Sequence, residues 1–236
     1  MGFPVDRYTS NTHLRENPAW DVEDSSWKAE KVVAMLAVAD CQPSSICDVG
    51  CGAGGVLADL RPVFPNTELF GYDIARDAAP FWSQHKSANI HFEVGDFFQL
   101  NQRRYDVLLL LDVIEHLPDP FAFLGRLRHY ADFFVFHMPI DLSAMNVLRE
   151  RPLLKARRKV GHIHYFTKGL ALALLGECGY KILDWCYTEA AFTTPKYNWK
   201  TRLASLPRRV AYWVNKDWGV RFLGGETLMV LAEDKG

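Results

Sequence analysis

Short apolar segments alternate with helix-forming segments along most of the chain. Segments 45–49, 68–73, 90–94, 105–111 and 133–136 are rich in apolar residues and have the length of a buried strand, and 182–187 and 227–232 follow later. Helices are predicted before and between them, at about 25–39, 56–61, 121–130 and 167–178. This alternation is typical of an α/β fold with a doubly wound, mostly parallel sheet, here of seven strands.

The chain is predicted to form one domain, 1–236, in which residues 1–40 are an arm followed by a helix. Asp24 or Ser25 can cap that helix. Its predicted inner face carries Trp27, Lys31, Ala34, Met35 and Val38. Between the fifth strand and the 167–178 helix, the basic segment is interpreted as irregular.

Ligands of doubly wound sheets bind beyond the carboxyl ends of the strands, so the residues that follow each strand are the ones that matter. The first strand leads into a glycine-rich turn, 48–55, where glycine allows tight turning and close approach to a ligand. The second strand ends at Asp73, whose carboxylate can accept hydrogen bonds from ribose hydroxyls. Gly50, Gly52 and Gly55 also fit a dinucleotide spacing, so these features suit NAD and S-adenosylmethionine equally.

The third and fourth strands are followed by the sequences G-D-F at 95–97 and D-V-I-E-H-L at 112–117. With D-V-G-C-G-A-G at 48–54 and the acid after the second strand, these motifs resemble those of the class I S-adenosylmethionine-dependent methyltransferases. The sequence G-H-I-H-Y-F-T at 161–167 is similar to small-molecule families of that class, which include ubiquinone- and menaquinone-pathway enzymes. The resemblance covers roughly residues 24–187.

The resemblance implies a Rossmann-like methyltransferase fold with S-adenosylmethionine as cofactor and residues 1–40 lying over it. Backbone groups would hold the methionine part, Asp73 the ribose and Asp96 the adenine amino group. Side chains would pack beside adenine or line the sulfonium. The implied cofactor-binding residues are Gly50, Cys51, Gly52, Asp73, Ile74, Asp96, Phe97, Asp112 and Val113. Asp48 is predicted to brace the glycine turn.

Methyl transfer from a sulfonium depends largely on alignment, but an oxygen or activated-carbon acceptor must also lose a proton. Histidine is the side chain best suited to that step near neutral pH. We predict His162 and His164 first, because they lie in the segment expected to cover the acceptor, and then His116. His137 also follows a strand. No Asp, His or Cys cluster in the sequence has metal-ligand spacing, so no metal is predicted.

The net charge of -1 conceals a strong asymmetry. Residues 1–148 contain 11 Lys and Arg against 20 Asp and Glu, whereas 149–236 contain 16 against 8. Most of the Lys and Arg residues of 149–236 lie in segments 140–165 and 188–223. These two segments are therefore predicted as a small basic lid. Such a lid suits a solvated surface, an anionic or lipid-linked acceptor at a membrane surface, or single-stranded nucleic acid. A pI near 6.7 makes nucleic acid the least favoured partner.

Three further features bear on location. No apolar run approaches the ~20 residues that span a bilayer, and no signal peptide is apparent at the N-terminus. Five cysteines without a CxxC pair indicate neither a disulfide framework nor a zinc site, so a cytoplasmic location is expected.

The leading hypothesis is methyl transfer to a small or lipid-linked acceptor, with oxygen favoured over carbon or nitrogen. The alternatives are an NAD(P)-dependent oxidoreductase and a non-catalytic methyltransferase-like binding domain. The sequence leaves both alternatives open.

Overall fold

A computed structural model describes residues 22–85, 90–189 and 206–236. Seven strands form one sheet in the order β3-β2-β1-β4-β5-β7-β6. Strand β7 runs antiparallel to β5 and β6, and the other neighbours are parallel. The strands are β1 Ser45–Val49, β2 Glu68–Asp73, β3 Ile90–Val94, β4 Tyr105–Leu111, β5 Ala131–Ile140, β6 Tyr180–Tyr187 and β7 Glu226–Asp234. This topology confirms the predicted mostly parallel, seven-stranded α/β fold.

Ten α-helices connect the strands within the described residues, together with short 3₁₀ turns. Those turns include Ile114–His116 directly after β4. The α-helices are α1 Ser25–Val38, α2 Gly55–Leu60, α3 Ala79–Trp82, α4 Phe97–Leu100, α5 Pro120–Leu127, α6 Ala144–Arg149, α7 Arg151–Lys159, α8 Lys168–Glu177, α9 Leu206–Val214 and α10 Lys216–Leu223. Among the described helices, none is long and apolar enough to cross a membrane.

The sheet has a buried core on both faces, as its central strands predict. Strand β4 is apolar after Asp106, and Val107 to Leu111 are all buried. Alternate residues contribute to two separate clusters, one containing Leu108 and Leu110 and the other Val107 and Leu109. Because both faces are covered by helices, the strand ends are where a ligand can reach the sheet.

Helix α1 packs with a different face from the one predicted. Ala34 and Val38 are exposed, whereas Ala29, Val32 and Leu36 are buried, and of the predicted positions Met35 is buried with them. The buried positions follow the i, i+3, i+7 spacing of a helix stripe. The sequence interpretation was wrong because apolar residues surround this helix, so periodicity alone does not select one face.

The basic segment after β5 is helical, which corrects the prediction of an irregular segment. Ser143 caps α6, with its Oγ accepting from the backbone N of Asn146, and Pro152 lies in the first turn of α7. Basic residues in α7 leave few apolar positions, so its periodicity is hard to detect. Strand β5 is also longer than predicted, because Met138 to Ile140 pair with β7.

Candidate active site

A cavity of about 460 Å³ opens at the carboxyl ends of the central strands. It is large enough for a nucleoside-sized ligand. The glycine turn, the residues after β2 and β4, the start of α1 and the segment after α7 all contribute to it. Its lining includes Ser25, Lys28, Asp48, Gly50, Cys51, Gly52, Asp73, Ile74, Asp112, Val113, Glu115, His116, Pro139, Val160 and His162. Seven of the nine predicted cofactor residues therefore line one cavity.

The turn after β1 adopts a backbone that requires glycine. Gly50 and Gly52 have φ values of +83° and +51°. A Cβ on Gly50 would lie 2.5 Å from Cγ2 of Val113, so a side chain there would fill the passage between the β1 and β4 turns. The backbone N groups of Gly50 and Cys51 donate to the carbonyl of Tyr72, which fixes the turn against β2.

Asp73 braces the glycine turn, a role that the sequence analysis gave to Asp48. Oδ2 of Asp73 accepts from the backbone N of Gly52 at 2.8 Å, and Oδ1 accepts from Ala75 N at 2.7 Å. Burial raises the pKa of Asp73, and these two backbone hydrogen bonds lower it. Asp73 lines the cavity and each carboxylate oxygen can accept a further hydrogen bond, so bracing the turn is compatible with holding a ribose. The ribose contact stays a prediction.

Asp48 is almost fully buried, lines the cavity, and its Oδ1 has no hydrogen-bond partner among the described residues. Burial raises its pKa to about 7, and Lys28 opposes that rise. A buried carboxylate without a partner is costly unless a cation or donor reaches it. Asp48 is therefore positioned to receive a positively charged part of a ligand.

The Asp112 carboxylate is held in place by Lys28 and His137. Lys28 Nζ lies 2.7 Å from Oδ2 of Asp112, and Nδ1 of His137 donates to Oδ1 at 2.7 Å. Burial alone would raise the pKa of Asp112, but His137 and Lys28 hold it well below its ordinary value. Asp112 has a φ of +56°, an uncommon backbone conformation that these contacts fix beside the cavity. His137 is thus a positioning residue for Asp112.

Asp96 and Phe97 do not line the cavity. Oδ1 of Asp96 accepts from Phe98 N at 2.9 Å and caps α4. Phe97 is buried in the core against Tyr72 and Tyr130, which corrects the expectation that its ring lies beside adenine. The adenine contact of Asp96 stays a prediction.

His116 and His162 lie together at the cavity, with Glu115 between them. Their ring centroids are 5.0 Å apart, and Nε2 of each lies 3.8–3.9 Å from Oε1 of Glu115. Nδ1 of His162 donates to Oδ2 of Asp141 at 2.7 Å, which directs Nε2 toward Glu115. Burial and the charge of Asp112 raise the pKa of Glu115 well above its ordinary value. The sequence analysis missed Glu115 and Asp141 as site residues, although Glu115 lies within the fourth-strand motif.

His164 does not lie at the cavity with His116 and His162. Its Nε2 donates to the carbonyl of Leu117 at 2.9 Å, and it is outside the cavity lining. This hydrogen bond anchors the 161–167 segment to the turn after β4. The catalytic assignment of His164 stays a prediction.

Parts of the segments that were predicted to cover the site line the cavity. Asp24, Ser25 and Lys28 line the cavity at the start of α1, and Val160 and His162 do so from the 140–165 segment. Residues 1–21 of the predicted arm and 190–205 of the second lid segment lie outside the described residues.

Part of the chain matches a known protein family. Residues 47–132, from β1 to the start of β5, match the family described as "Methyltransferase domain". This match, the sheet order and the glycine turn support a class I S-adenosylmethionine-dependent methyltransferase. The cofactor of this class is S-adenosylmethionine.

The individual relatives share 28–30% sequence identity with this chain, over less than half of its length. The chain is 28% identical over 119 residues to a ubiquinone biosynthesis O-methyltransferase of Neisseria meningitidis serogroup C (strain 053442), covering 47% of this chain and 50% of that protein. It is 30% identical over 92 residues to the human tRNA (guanine-N(7)-)-methyltransferase, covering 39% and 30% respectively. Three ubiquinone biosynthesis methyltransferases are matched over only 33–50% of their length.

Similar solved structures support the fold. Magnesium protoporphyrin IX methyltransferase of Synechocystis PCC 6803, solved with bound SAH, superposes with a TM-score of 0.58 at 19% identity. The alignment covers 89% of this chain and 83% of that one. At this identity the likeness establishes the fold alone.

Proposed function

We propose that this protein transfers the methyl group of S-adenosylmethionine to an oxygen of a small or lipid-linked acceptor. The observation that carries this proposal is one cavity that brings the glycine turn, Asp73 and Asp112 together with the Glu115, His116 and His162 group. The first set suits the cofactor, and the second set suits an acceptor that must lose a proton.

The topology separates these two ends of the cavity. Asp73 ends β2 and Asp141, the partner of His162, directly follows β5, and three strand spacings lie between β2 and β5. At about 4.8 Å per spacing the two ends are roughly 14 Å apart. A cofactor that begins with its ribose at Asp73 therefore extends its sulfonium toward the histidines.

Oxygen is the favoured acceptor atom for two reasons. A hydroxyl acceptor needs help in losing its proton, and the buried His162 and the half-buried His116 lie at the cavity where that help is required. The ubiquinone biosynthesis relatives are O-methyltransferases by name, and they are matched over 91 and 119 residues. The tRNA methyltransferase relative is matched over a shorter share of its length.

A binding and turnover experiment tests the proposal against its alternatives. S-adenosylhomocysteine should bind the purified protein with micromolar or better affinity, whereas NADH should not bind. Incubation with methyl-labelled S-adenosylmethionine and hydroxylated aromatic acceptors, with and without a polyprenyl tail, should yield one labelled ether per S-adenosylhomocysteine released. NADH binding without S-adenosylhomocysteine binding would establish the oxidoreductase alternative, and cofactor binding without any methylated acceptor favours the non-catalytic one.

The lid helices support a lipid-linked acceptor at a membrane surface. Helix α6 packs against α10, and α10 packs against α9. This group exposes large apolar side chains that water disfavours, beside exposed basic residues of α7. The apolar residues are Val147, Leu148, Val210, Trp213, Val214, Trp218 and Phe222. Apolar and basic residues together favour an anionic membrane surface.

Binding to lipid vesicles tests whether the lid helices contact a membrane surface. We expect the protein to cosediment with phosphatidylcholine vesicles that contain phosphatidylglycerol, and to do so less at high salt. Leu148→Ser and Trp213→Ser, at side chains that are 81% and 88% exposed, should each weaken binding on the order of tenfold. Val63→Ser removes an exposed apolar side chain before β2 and serves as the control. Equal binding by all variants would contradict the proposal.

A further inference from the structure

Gly52 lies in the middle of the glycine turn, and side chains hold the peptide groups on both sides of it. Oδ2 of Asp73 accepts from Gly52 N, and Nε1 of Trp82 donates to Gly52 O, both at 2.8 Å. The indole comes from the last residue of α3, which none of the sequence motifs includes. Because the N and the O of one residue belong to successive peptide planes, the two bonds together restrict both φ and ψ of Gly52.

This restraint matters because glycine has more backbone freedom than any other residue. The φ of Gly52 is +51°, and a turn that presents its peptide groups to a ligand must keep that conformation. Asp73 fixes the peptide group before Gly52, and Trp82 fixes the one after it. The Cys51 thiol also reaches the Gly52 carbonyl oxygen, at 3.9 Å, but a thiol is a weak donor. The indole N–H is therefore the stronger restraint on the Gly52–Ala53 peptide group.

The Trp82 indole is itself held by Phe92 of β3. The two rings are stacked, with centroids 5.0 Å apart and an interplanar angle of 13°. Phe92 pairs with Gly71 of β2, where a Cβ would lie 2.7 Å from the Phe92 ring. A Cβ on Gly54 of the turn would lie at the same distance from that ring. These two glycines thus leave room for the aromatic stack that aims the indole at the turn.

We propose that Trp82 is a positioning residue for the cofactor, whose indole N–H holds the Gly52–Ala53 peptide group in the orientation that binds S-adenosylmethionine. Gly52 lines the cavity, whereas Trp82 is not among the described residues that do. Trp82 therefore acts on the ligand through Gly52 and not by contact. The inference rests on the cofactor part of the proposed function, and it is independent of the acceptor.

Loss of the indole donor would leave the Gly52–Ala53 peptide group free to rotate in the cofactor-free protein. Glycine adopts many backbone conformations, so part of the population would no longer present the turn in its ligand-binding form. The cofactor would then have to order this residue on binding, a cost that a preorganised turn avoids. The free energy of ordering the backbone of one residue corresponds to roughly a 10-fold loss of affinity.

Two variants with rings of similar size separate the donor from the packing. Trp82→Phe lacks an N–H, whereas Trp82→His has Nε2 at the same number of bonds from Cβ as the indole nitrogen and is neutral at about pH 8. In calorimetric titration of the full chain with S-adenosylhomocysteine, Trp82→Phe should bind about 10-fold more weakly than wild type and Trp82→His within about threefold of it. Trp185→Phe, on β6 at the opposite edge of the sheet from β3, should bind like wild type.

Amide hydrogen exchange of the cofactor-free proteins locates the effect. Exchange in segment 50–55 should be faster in Trp82→Phe than in wild type, whereas exchange in β4 should not change. Equal affinity of Trp82→Phe and wild type would overturn the inference.

Equal losses in Trp82→Phe and Trp82→His would also overturn it, because packing and not the donor would then be responsible. Circular dichroism checks that each variant is folded, and the larger Trp82→Tyr, which also lacks an N–H, carries the test if Trp82→Phe is not. These results reject only the inference, whereas wild-type protein that does not bind S-adenosylhomocysteine rejects the proposed function.

Discussion

Asp73→Ala is expected to weaken S-adenosylhomocysteine binding on the order of 100-fold or more. The substitution removes the acceptor of the Gly52 and Ala75 backbone N groups, so the glycine turn loses its brace as well as its ribose partner. Hydrogen bonds to a charged group contribute about 1.5–3 kcal/mol each, so the loss of those to the two ribose hydroxyls accounts for a change of this size. Isothermal titration calorimetry of wild type and variant measures the change.

Two further variants show whether this effect is specific. Asp73→Asn keeps one carbonyl oxygen, so it should lose less affinity than Asp73→Ala. Asp132→Ala removes an exposed carboxylate at the start of β5, at the opposite ends of the strands, where it pairs with the exposed Arg104. The affinity of this variant for S-adenosylhomocysteine should stay within about twofold of wild type, because exposed ion pairs contribute little free energy. Unchanged affinity in Asp73→Ala would contradict the assigned position of the cofactor.

Asp48→Asn is expected to stabilise the cofactor-free protein, and more so as the pH rises. The pKa of Asp48 is about 7 in the folded chain against an ordinary value of 3.8, so the folded state binds the proton more tightly than the unfolded state. The free energy of unfolding of wild type should therefore fall between about pH 4 and pH 7 and then level off. Asn cannot ionise, so the variant gains up to about 4 kcal/mol relative to wild type across this range.

Urea unfolding at pH 5, 6 and 8 without cofactor measures this difference. The exposed Asp59→Asn should differ from wild type by less than about 0.5 kcal/mol throughout. A stability difference that does not change with pH would contradict the assignment. Binding of a cationic cofactor should favour the ionised form of Asp48, and therefore higher pH, because the carboxylate attracts a cation. Cofactor affinity in wild type should therefore rise through pH 7, and that rise should disappear in Asp48→Asn.

Prediction from sequence succeeded where a local pattern fixes the outcome. The glycine turn was located correctly because Gly50 needs a positive φ that other residues rarely adopt, and Asp73 because the strand-end position is set by an apolar run. Thr167 was recognised as a helix cap, and its Oγ1 accepts from Leu170 N. These features depend on residues within a few positions of one another.

The sequence alone did not fix the position of side chains that depend on a distant partner. His164 and His162 are two residues apart, yet one ring binds the Leu117 carbonyl and the other faces Glu115. Phe97 was assigned to the cofactor, but the rings of Tyr72 and Tyr130 bury it in the core. Nothing in the immediate neighbourhood of these residues distinguishes the two outcomes.

The sequence by itself determined the order of strands and helices, the glycine turn, and the acids that follow β2, β3 and β4. Periodicity, capping and backbone conformation are properties of short segments, so they can be recognised without the fold. Only the tertiary structure decided that Asp73 rather than Asp48 braces the turn, and that Glu115, His116 and His162 meet with Asp141 behind them. Those contacts join segments that are far apart in the chain, because the parallel sheet carries the end of each strand to the same edge.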